Sequence, residues 1–306
     1  MIARTRTPSV ASLLFALKGS IIPVIWPRVL YTILFSLLVV VLNGYAFSLH
    51  IGLSAAPLTL MGLTLAIFLG FRNTVAYQRW WDARTLWGEL IIVTRNLTRQ
   101  TLGFLADQDE PTRRQLVYRL IAFTHALRHH LRGSDPTDDL SRWLSADEAA
   151  DALATPNRPN TVLGQLGRAY TGTAKQTAVD PILLASIDAQ ISRLSYVLGG
   201  CERIQGTPIP YAYILLLHRT VHIYCFLLPF CLVGTMGWTT PLVVGVLAYT
   251  FFGLDALGDQ IEDPFDLMPN DLPLDAMSRN VEINLLSLLG DTDLPAPIQP
   301  RDFVLP

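Results

Sequence analysis

Two long stretches without a charged residue dominate the hydropathy pattern of this chain, Val29 to Phe71 and Thr220 to Leu254. A membrane-spanning helix needs about 20 apolar residues, so the first stretch is too long for one span. Turn-forming residues interrupt both stretches, at 43–57 and at 234–241. The pattern therefore predicts two helical hairpins, which together supply four membrane-spanning helices.

The predicted spans extend somewhat beyond the charge-free stretches. The first runs from Arg28 to Leu49, and the second begins near Pro57, since proline is tolerated in the first turn of a helix. The apolar halves of the second hairpin are short, which leaves buried core helices as the alternative. Their flanks extend them, so we assign residues 28–81 and 211–261 to the two hairpins.

The remaining segments are predicted to be mostly helical as well. Residues 1–27 form an N-terminal interfacial segment, with a weak signal peptide as the alternative. Residues 82–210 form a cytoplasmic helical region with an insertion at about 133–160, and residues 262–306 form a C-terminal helix and tail. No strand alternation is visible, so the fold class is all-α. The predicted helices are Trp81–Leu105, Pro111–Leu131, a short one near Ala146–Leu153, Asp180–Ile204, and one from Leu272 or Pro273 to Leu289 with Asp271 as its cap.

Composition supports a membrane protein with a sizeable polar part. Of the 306 residues, 51% are hydrophobic and only 16% are charged, whereas soluble domains carry about 25% charged residues. Most of the 23 lysines and arginines lie between the two hairpins, and the hairpin tips carry none. The positive-inside rule then places both termini and the central region in the cytoplasm of a multi-pass protein, in a bacterial inner membrane.

Several function classes lack support in the sequence. The net charge of −2 gives no basic field for nucleic acid. The three cysteines are odd in number and lack CxxC spacing, which disfavours a disulfide framework or a zinc site. No nucleophile elbow, phosphate loop or zinc-protease motif is present, so we expect neither an enzyme nor a bound cofactor or metal.

The second predicted helix carries two neighbouring rows of residues spaced four apart. Gly62, Ala66 and Gly70 form a small-residue row, which lets helices approach closely in lipid. A row of bulky apolar residues follows one position later and forms a ridge. We expect this helix to pack against copies of itself and to turn the ridge toward a shared axis. The ridge consists of Leu63, Ile67 and Phe71.

Polar residues near the predicted membrane boundaries are further candidates. His218, Arg219 and His222 lie at the start of the third span, where they form either part of an ion pathway or an ion pair with Glu202 or Asp255. Five carboxylates after the fourth span form a possible cation site through oxygen ligands, with capping of turns as the alternative. These are Glu262, Asp263, Asp266, Asp271 and Asp275.

Four segments resemble the bestrophin family, most closely its bacterial branch. They are FLGFRNTVAYQRWWDARTLWG (68–88), GCERIQGTPIPYAY (200–213), LHRTV (217–221) and IEDPFDLMPNDLPLDA (261–276). The resemblance implies a homopentameric ion channel in a lipid bilayer, with its pore on the fivefold axis. It also implies that Leu63, Ile67 and Phe71 line a hydrophobic neck, and that Ile209 forms a cytoplasmic constriction.

The chain differs from the animal members at two places. Their neck is richer in phenylalanine, whereas here only Phe71 is aromatic, so the selectivity between anions and cations stays open. The acidic residues after Pro264-Phe265 are also sparser than in the animal calcium clasp. We expect passive movement of small monovalent ions, gated by dewetting of the neck. A secondary ion transporter and a non-conducting membrane scaffold are the alternatives.

Overall fold

A computed structural model of the protein describes residues 1, 19–45, 55–177, 179–301 and 303–306. Throughout these ranges the regular structure is helical, and the only β-type pairing recorded among them is an isolated bridge between Arg301 and Val304. The all-α fold class is thereby confirmed. The helices are α1 Ile22–Tyr45, α2 Ala55–Phe104, α3 Glu110–Arg132, α4 Thr137–Trp143, α5 Ala146–Leu153, α6 Arg158–Thr177, α7 Pro181–Gly206, α8 Tyr211–Met236, a 3-10 turn Gly237–Thr239, α9 Thr240–Glu262 and α10 Leu274–Leu288.

The chain divides into two compact units. The apolar unit contains residues 19–45, 55–80 and 208–264. The polar unit contains residues 81–207 and 265–306. Helix α2 is continuous through the boundary at Trp80.

The apolar unit contains the predicted spanning helices. Three stretches are long and apolar enough to cross a membrane, namely Ile22–Asn43, Ala56–Phe104 and Tyr211–Glu262. The third stretch comprises two helices, α8 and α9, joined by the 3-10 turn at Gly237, so the expected four helices are present. Helix α1 begins at Ile22, six positions before the predicted start, because residues 22–27 continue its helical pattern.

The core of the apolar unit is built from α1, the first half of α2, α8 and α9. Helix α1 packs along α9, and Gly245 of α9 permits this close approach. A Cβ atom added at Gly245 would lie 2.9 Å from Cδ1 of Ile33. The shared buried residues include Ile25, Leu65, Leu69, Val221, Leu228, Val244, Ala248 and Phe252.

Helix α3 contributes the most to the core of the polar unit. Its residues Leu120, Ile121 and Phe123 are fully buried, and it contacts α4, α6, α7 and α10. The helix ends at Gly133, which takes the left-handed conformation with φ of 60°. In this conformation the backbone N–H of Gly133 donates to the carbonyl oxygens of His129 and His130 at the end of the helix, and glycine adopts it without strain.

Two of the smaller helix predictions are confirmed, and each helix has a side-chain cap at its start. Helix α5 has the predicted bounds, and Ser145 and Glu148 close a reciprocal capping box at its start. Helix α7 begins after Asp180, whose carboxylate accepts a hydrogen bond of 2.8 Å from the backbone N–H of Ile182. Helices α4 and α6 were not predicted.

The start of the C-terminal helix differs from the prediction. Pro273 occupies the N-cap position without a side-chain hydrogen bond, so the predicted cap at Asp271 is wrong. The Asp271 carboxylate instead accepts a hydrogen bond of 2.6 Å from the backbone N–H of Met268 and closes a tight turn. Of the predicted interfacial segment, residues 2–18 lie outside the described residues.

Candidate pore-lining site

The two sides of α2 within the apolar unit have opposite environments. Leu65 and Leu69 point into the core of the unit and are 2% and 0% exposed. The ridge on the other side is exposed within the single chain. Its residues Leu63, Ile67 and Phe71 are 60%, 48% and 61% exposed. The structure thus places the predicted neck residues together on one open face.

The polar residues on this part of α2 keep their hydroxyl groups bonded within the helix. The hydroxyl group of Thr64 donates to the carbonyl oxygen of Leu60 at 2.9 Å. That of Thr74 donates to the carbonyl oxygen of Gly70, also at 2.9 Å. Because these donors are satisfied locally, the exposed face around Ile67 offers little hydrogen bonding to water.

The three positions of the small-residue row differ in burial. Gly62 is buried against α8 of the same chain, and a Cβ atom added there would lie 2.6 Å from Oη of Tyr224. Ala66 and Gly70 are exposed, and an added Cβ at Gly70 meets no atom within 4 Å. Close approach at Gly62 therefore serves the protomer, and only the other two positions are open to a second copy.

A buried ion-pair cluster follows directly after the ridge. The guanidinium group of Arg72 lies 2.9 Å from the carboxylate of Asp255, and both side chains are fully buried. It also hydrogen-bonds to Asp259 and lies 3.5 Å from Glu262. An arginine with carboxylate partners from α9 fixes α2 against that helix.

Two further residues hold the helices together at this level. Nδ1 of His218 lies 2.8 Å from Oδ2 of Asp255, which selects Asp255 as the partner of this histidine. Asn73 donates from Nδ2 to the carbonyl oxygen of Leu254 at 3.1 Å. Gly258 makes room for this contact, since a Cβ atom there would lie 2.6 Å from Oδ1 of Asn73. The sequence alone did not assign Arg72 to this cluster.

The five carboxylates of the candidate cation site are mostly engaged by arginines. Glu262 lies beside Arg72, and Asp263 lies 3.8 Å from Arg79. Asp275 lies 2.7 Å from Arg132. Asp271 is in the tight turn, and Asp266 is exposed. Across the described residues, no group of three or more acidic, histidine or cysteine side chains is arranged to hold a metal ion, so this site stays a prediction without geometric support.

Two isoleucines near the starts of α7 and α8 differ sharply in exposure. Ile209, the predicted cytoplasmic constriction, is 8% exposed within its own chain. Ile182, in the first turn of α7, is 78% exposed, the highest value among the large apolar side chains of the described residues. These are exposures within a single chain, and the constriction at Ile209 stays a prediction.

Comparison with known proteins places these features in a family. The sequence profile described as "Bacterial/Fungal Bestrophin protein" matches residues 1–287. A voltage-dependent anion channel-forming protein of Mesorhizobium japonicum is 40% identical over 292 residues, which are 95% of this chain and 93% of that protein. A protein of the same description from Escherichia coli K12 is 38% identical over 287 residues, which are 94% of each chain.

Solved structures agree with these relatives. A crystal structure of a bacterial bestrophin homologue from Klebsiella pneumoniae, with one point mutation, superposes with a TM-score of 0.84 at 40% sequence identity. The match covers 87% of this chain and 99% of that one. A structure described as a membrane protein gives a TM-score of 0.85 at 39% identity, over 89% of this chain.

Proposed function

The chain belongs to the bacterial and fungal bestrophin family, and from this membership we propose that five copies assemble around a common axis into a channel for small monovalent ions. The protein is thus an ion channel of the membrane and not an enzyme, as the sequence indicated. The pentamer, the permeant ions and the gate are the parts that require experiment.

The proposal of a gate rests on the exposed ridge of α2. Leu63, Ile67 and Phe71 are each about half exposed or more within the single chain, so the ridge is free to face a shared axis. Five such ridges around an axis form three stacked apolar rings. A narrow apolar ring excludes water, so ions pass only when the neck widens or becomes wet.

The neck by itself does not select the sign of the permeant ion. Its three residues carry no charge, and only Phe71 presents an aromatic ring, whose edge favours anions. The relatives with 40% and 38% identity are named as anion channel-forming proteins. Anion passage is accordingly the first case to test, and a reversal potential in a salt gradient decides it.

Orientation and location follow from the charge pattern. The hairpin tips lack lysine and arginine, and the region between the hairpins contains most of them. This distribution favours a bacterial inner membrane with both termini in the cytoplasm. The lipid bilayer and further copies of this chain are the partners, with no role for nucleic acid.

The decisive experiment is planar-bilayer recording from purified protein, with a matched pair of triple variants. The neck variant combines Leu63→Ala, Ile67→Ala and Phe71→Ala, and should raise conductance because it opens the apolar rings. The control combines Leu242→Ala, Val246→Ala and Tyr249→Ala on α9, where the native side chains are 72%, 59% and 48% exposed. The control should leave conductance unchanged.

The outcomes separate the alternatives. Equal currents from wild type and the neck variant would refute the neck as the gate. Flux that saturates with ion concentration and shows no single-channel steps would indicate a secondary transporter. A protein without any flux in liposomes would be a membrane scaffold. Native mass measurement of the detergent-solubilised protein tests the pentamer independently.

A further inference from the structure

Gln78 continues the face of α2 that carries the neck ridge. It lies eleven positions after Ile67, and eleven residues make three turns of an α-helix. It follows Phe71 by seven positions, which correspond to about 10 Å along the helix axis. Helix α2 is unbroken over this interval, so the two side chains leave the helix in nearly the same direction.

Gln78 is also the first residue after the ridge on this face with an unengaged polar group. Thr74 precedes it on the face, but its hydroxyl hydrogen is donated to the carbonyl oxygen of Gly70 at 2.9 Å. The Gln78 side chain is exposed. In the part of the chain that the structure describes, no hydrogen bond or ion pair is recorded for its carboxamide.

The charged side chains nearest to Gln78 on the N-terminal and C-terminal sides, Arg72 and Arg79, contact α9. Arg72 is fully buried among the carboxylates of α9. The Nε group of Arg79 donates to the carbonyl oxygen of Glu262 at 3.0 Å. Between the ridge and Gln78, α2 therefore presents no free charge on this face, and the carboxamide is the first group there with free N–H donors for an ion.

A carboxamide offers both an acceptor oxygen and two N–H donors. An ion that leaves a narrow apolar neck has lost part of its hydration and regains contacts at the first polar position. Low-dielectric walls also strengthen the influence of any charge at such a place. A neutral amide at this point discriminates weakly between ions of opposite sign, whereas a charged side chain there would discriminate strongly.

We infer that Gln78 forms a ring of five uncharged carboxamides below the neck, and that the charge at this ring, zero in the wild type, determines how strongly the channel discriminates between anions and cations. The inference rests on the proposed function, because it requires the ridge to face the pore axis. It assigns selectivity to a position that is separate from the gate. The neck then controls whether ions pass, and the Gln78 ring controls which ions pass.

The test measures the ratio of cation to anion permeability from reversal potentials of purified channels in a salt gradient. Gln78→Glu should raise this ratio, and Gln78→Lys should lower it. A single charge about 7 Å from the ion in a water-like medium changes the permeability about threefold for each ion, in opposite directions, and therefore the ratio about sevenfold; five charges should exceed that. Gln176→Glu, at an exposed position on α6, adds the same charge and should leave the ratio unchanged.

Misfolding does not imitate the expected result, because a folding defect cannot shift the ratio in opposite directions for the two variants. Conducting Gln78→Glu and Gln78→Lys channels with the wild-type ratio would overturn the role of Gln78 and leave the channel function intact. An equal shift in Gln176→Glu would also overturn it. A wild-type protein that carries no current would instead refute the proposed function, and this inference with it.

Discussion

Arg72 and Asp255 form a fully buried ion pair, with Nη1 of the arginine 2.9 Å from Oδ1 of the aspartate. Each is the first charged residue after one of the two charge-free stretches. Arg72 follows Phe71 on α2, and Asp255 follows Leu254 on α9. The two stretches therefore end at the same level of the apolar unit, and their first charges neutralise each other there.

We expect Arg72→Ala to destabilise the protein strongly. Removal of one partner leaves Asp255 as a buried charge, and such a change costs about 3–5 kcal/mol. The control is Arg193→Ala, because Arg193 pairs with Glu89 at the surface and its side chain is 43% exposed. Exposed pairs contribute about 0.2–1 kcal/mol. Thermal unfolding of both variants in detergent measures the difference.

A double-mutant cycle with Asp255→Asn shows whether the cost belongs to this pair. The losses of stability caused by the two single substitutions should not add, because either substitution already breaks the same contact. Full additivity would mean that Arg72 acts mainly through Asp259 and Glu262 instead. The His218 contact with Asp255 is present in the Arg72 variant, so it provides no alternative explanation for a coupling energy.

The fold was predictable where a single local signal decides the structure. The charge-free stretches predicted the spanning helices, and Asp180 followed by Pro181 marks the start of α7. Helix α6 was missed because Gly164, Gly167 and Gly172 lower its intrinsic helix propensity. A signal was present, since the buried residues Val162, Leu166 and Tyr170 are spaced four apart. Burial of these three side chains outweighs the low helix propensity of the glycines.

The site was predictable only in part, for a related reason. The spacing of Leu63, Ile67 and Phe71 reveals a common face, but it does not reveal which face of α2 the protein buries. The pairing of Arg72 with Asp255 depends on tertiary contact between residues far apart in sequence, which local patterns do not encode. The sequence signal for this pair was that Arg72 and Asp255 each directly follow a charge-free stretch.

Substitutions in the small-residue row should separate packing within the chain from packing between copies. Gly62→Ala should destabilise the protomer by roughly 1–3 kcal/mol, because its Cβ would collide with Oη of Tyr224. Addition of Tyr224→Phe removes that atom and should restore part of the loss. A Gly62→Ala protein with wild-type thermal stability would contradict this packing.

Gly70 gives the complementary prediction. Gly70→Leu meets no atom within the protomer near its Cβ, so the fold of a single chain should tolerate it. If the exposed part of the row packs against a second copy, the same substitution should dissociate the oligomer. Native mass spectrometry measures the number of chains in the assembly. An unchanged number in Gly70→Leu would show that Gly70 does not lie in the contact between copies.

The two isoleucines should respond differently to truncation. Ile209→Ala should cost roughly 2–4 kcal/mol of stability, since the side chain is 8% exposed. Ile182→Ala should cost less than about 0.5 kcal/mol, because 78% of that side chain is exposed. Single-channel recording of both variants then tests which one narrows the pathway. A changed conductance for Ile209→Ala supports the predicted constriction at Ile209, whereas a changed conductance for Ile182→Ala alone would place the constriction at Ile182.

The turn that precedes α10 should depend on pH through Asp271. Burial raises the pKa of this carboxyl from its usual value of 3.8 to about 6, and the hydrogen bond from Met268 opposes the shift only in part. The folded state therefore binds the proton more tightly than the unfolded state. Stability from this group is present below pH 4 and is lost as the pH rises from 4 to 6.

Asp271→Asn removes this titration while it keeps an acceptor for the backbone N–H of Met268. The difference in free energy of unfolding between wild type and Asp271→Asn should change by on the order of 2 kcal/mol between pH 4 and pH 7. Asp107→Asn, at an exposed carboxyl after α2, is the control and should show a smaller change. Hydrogen exchange of residues 266–274 locates the effect, and parallel pH profiles for wild type and Asp271→Asn would exclude Asp271 as its source.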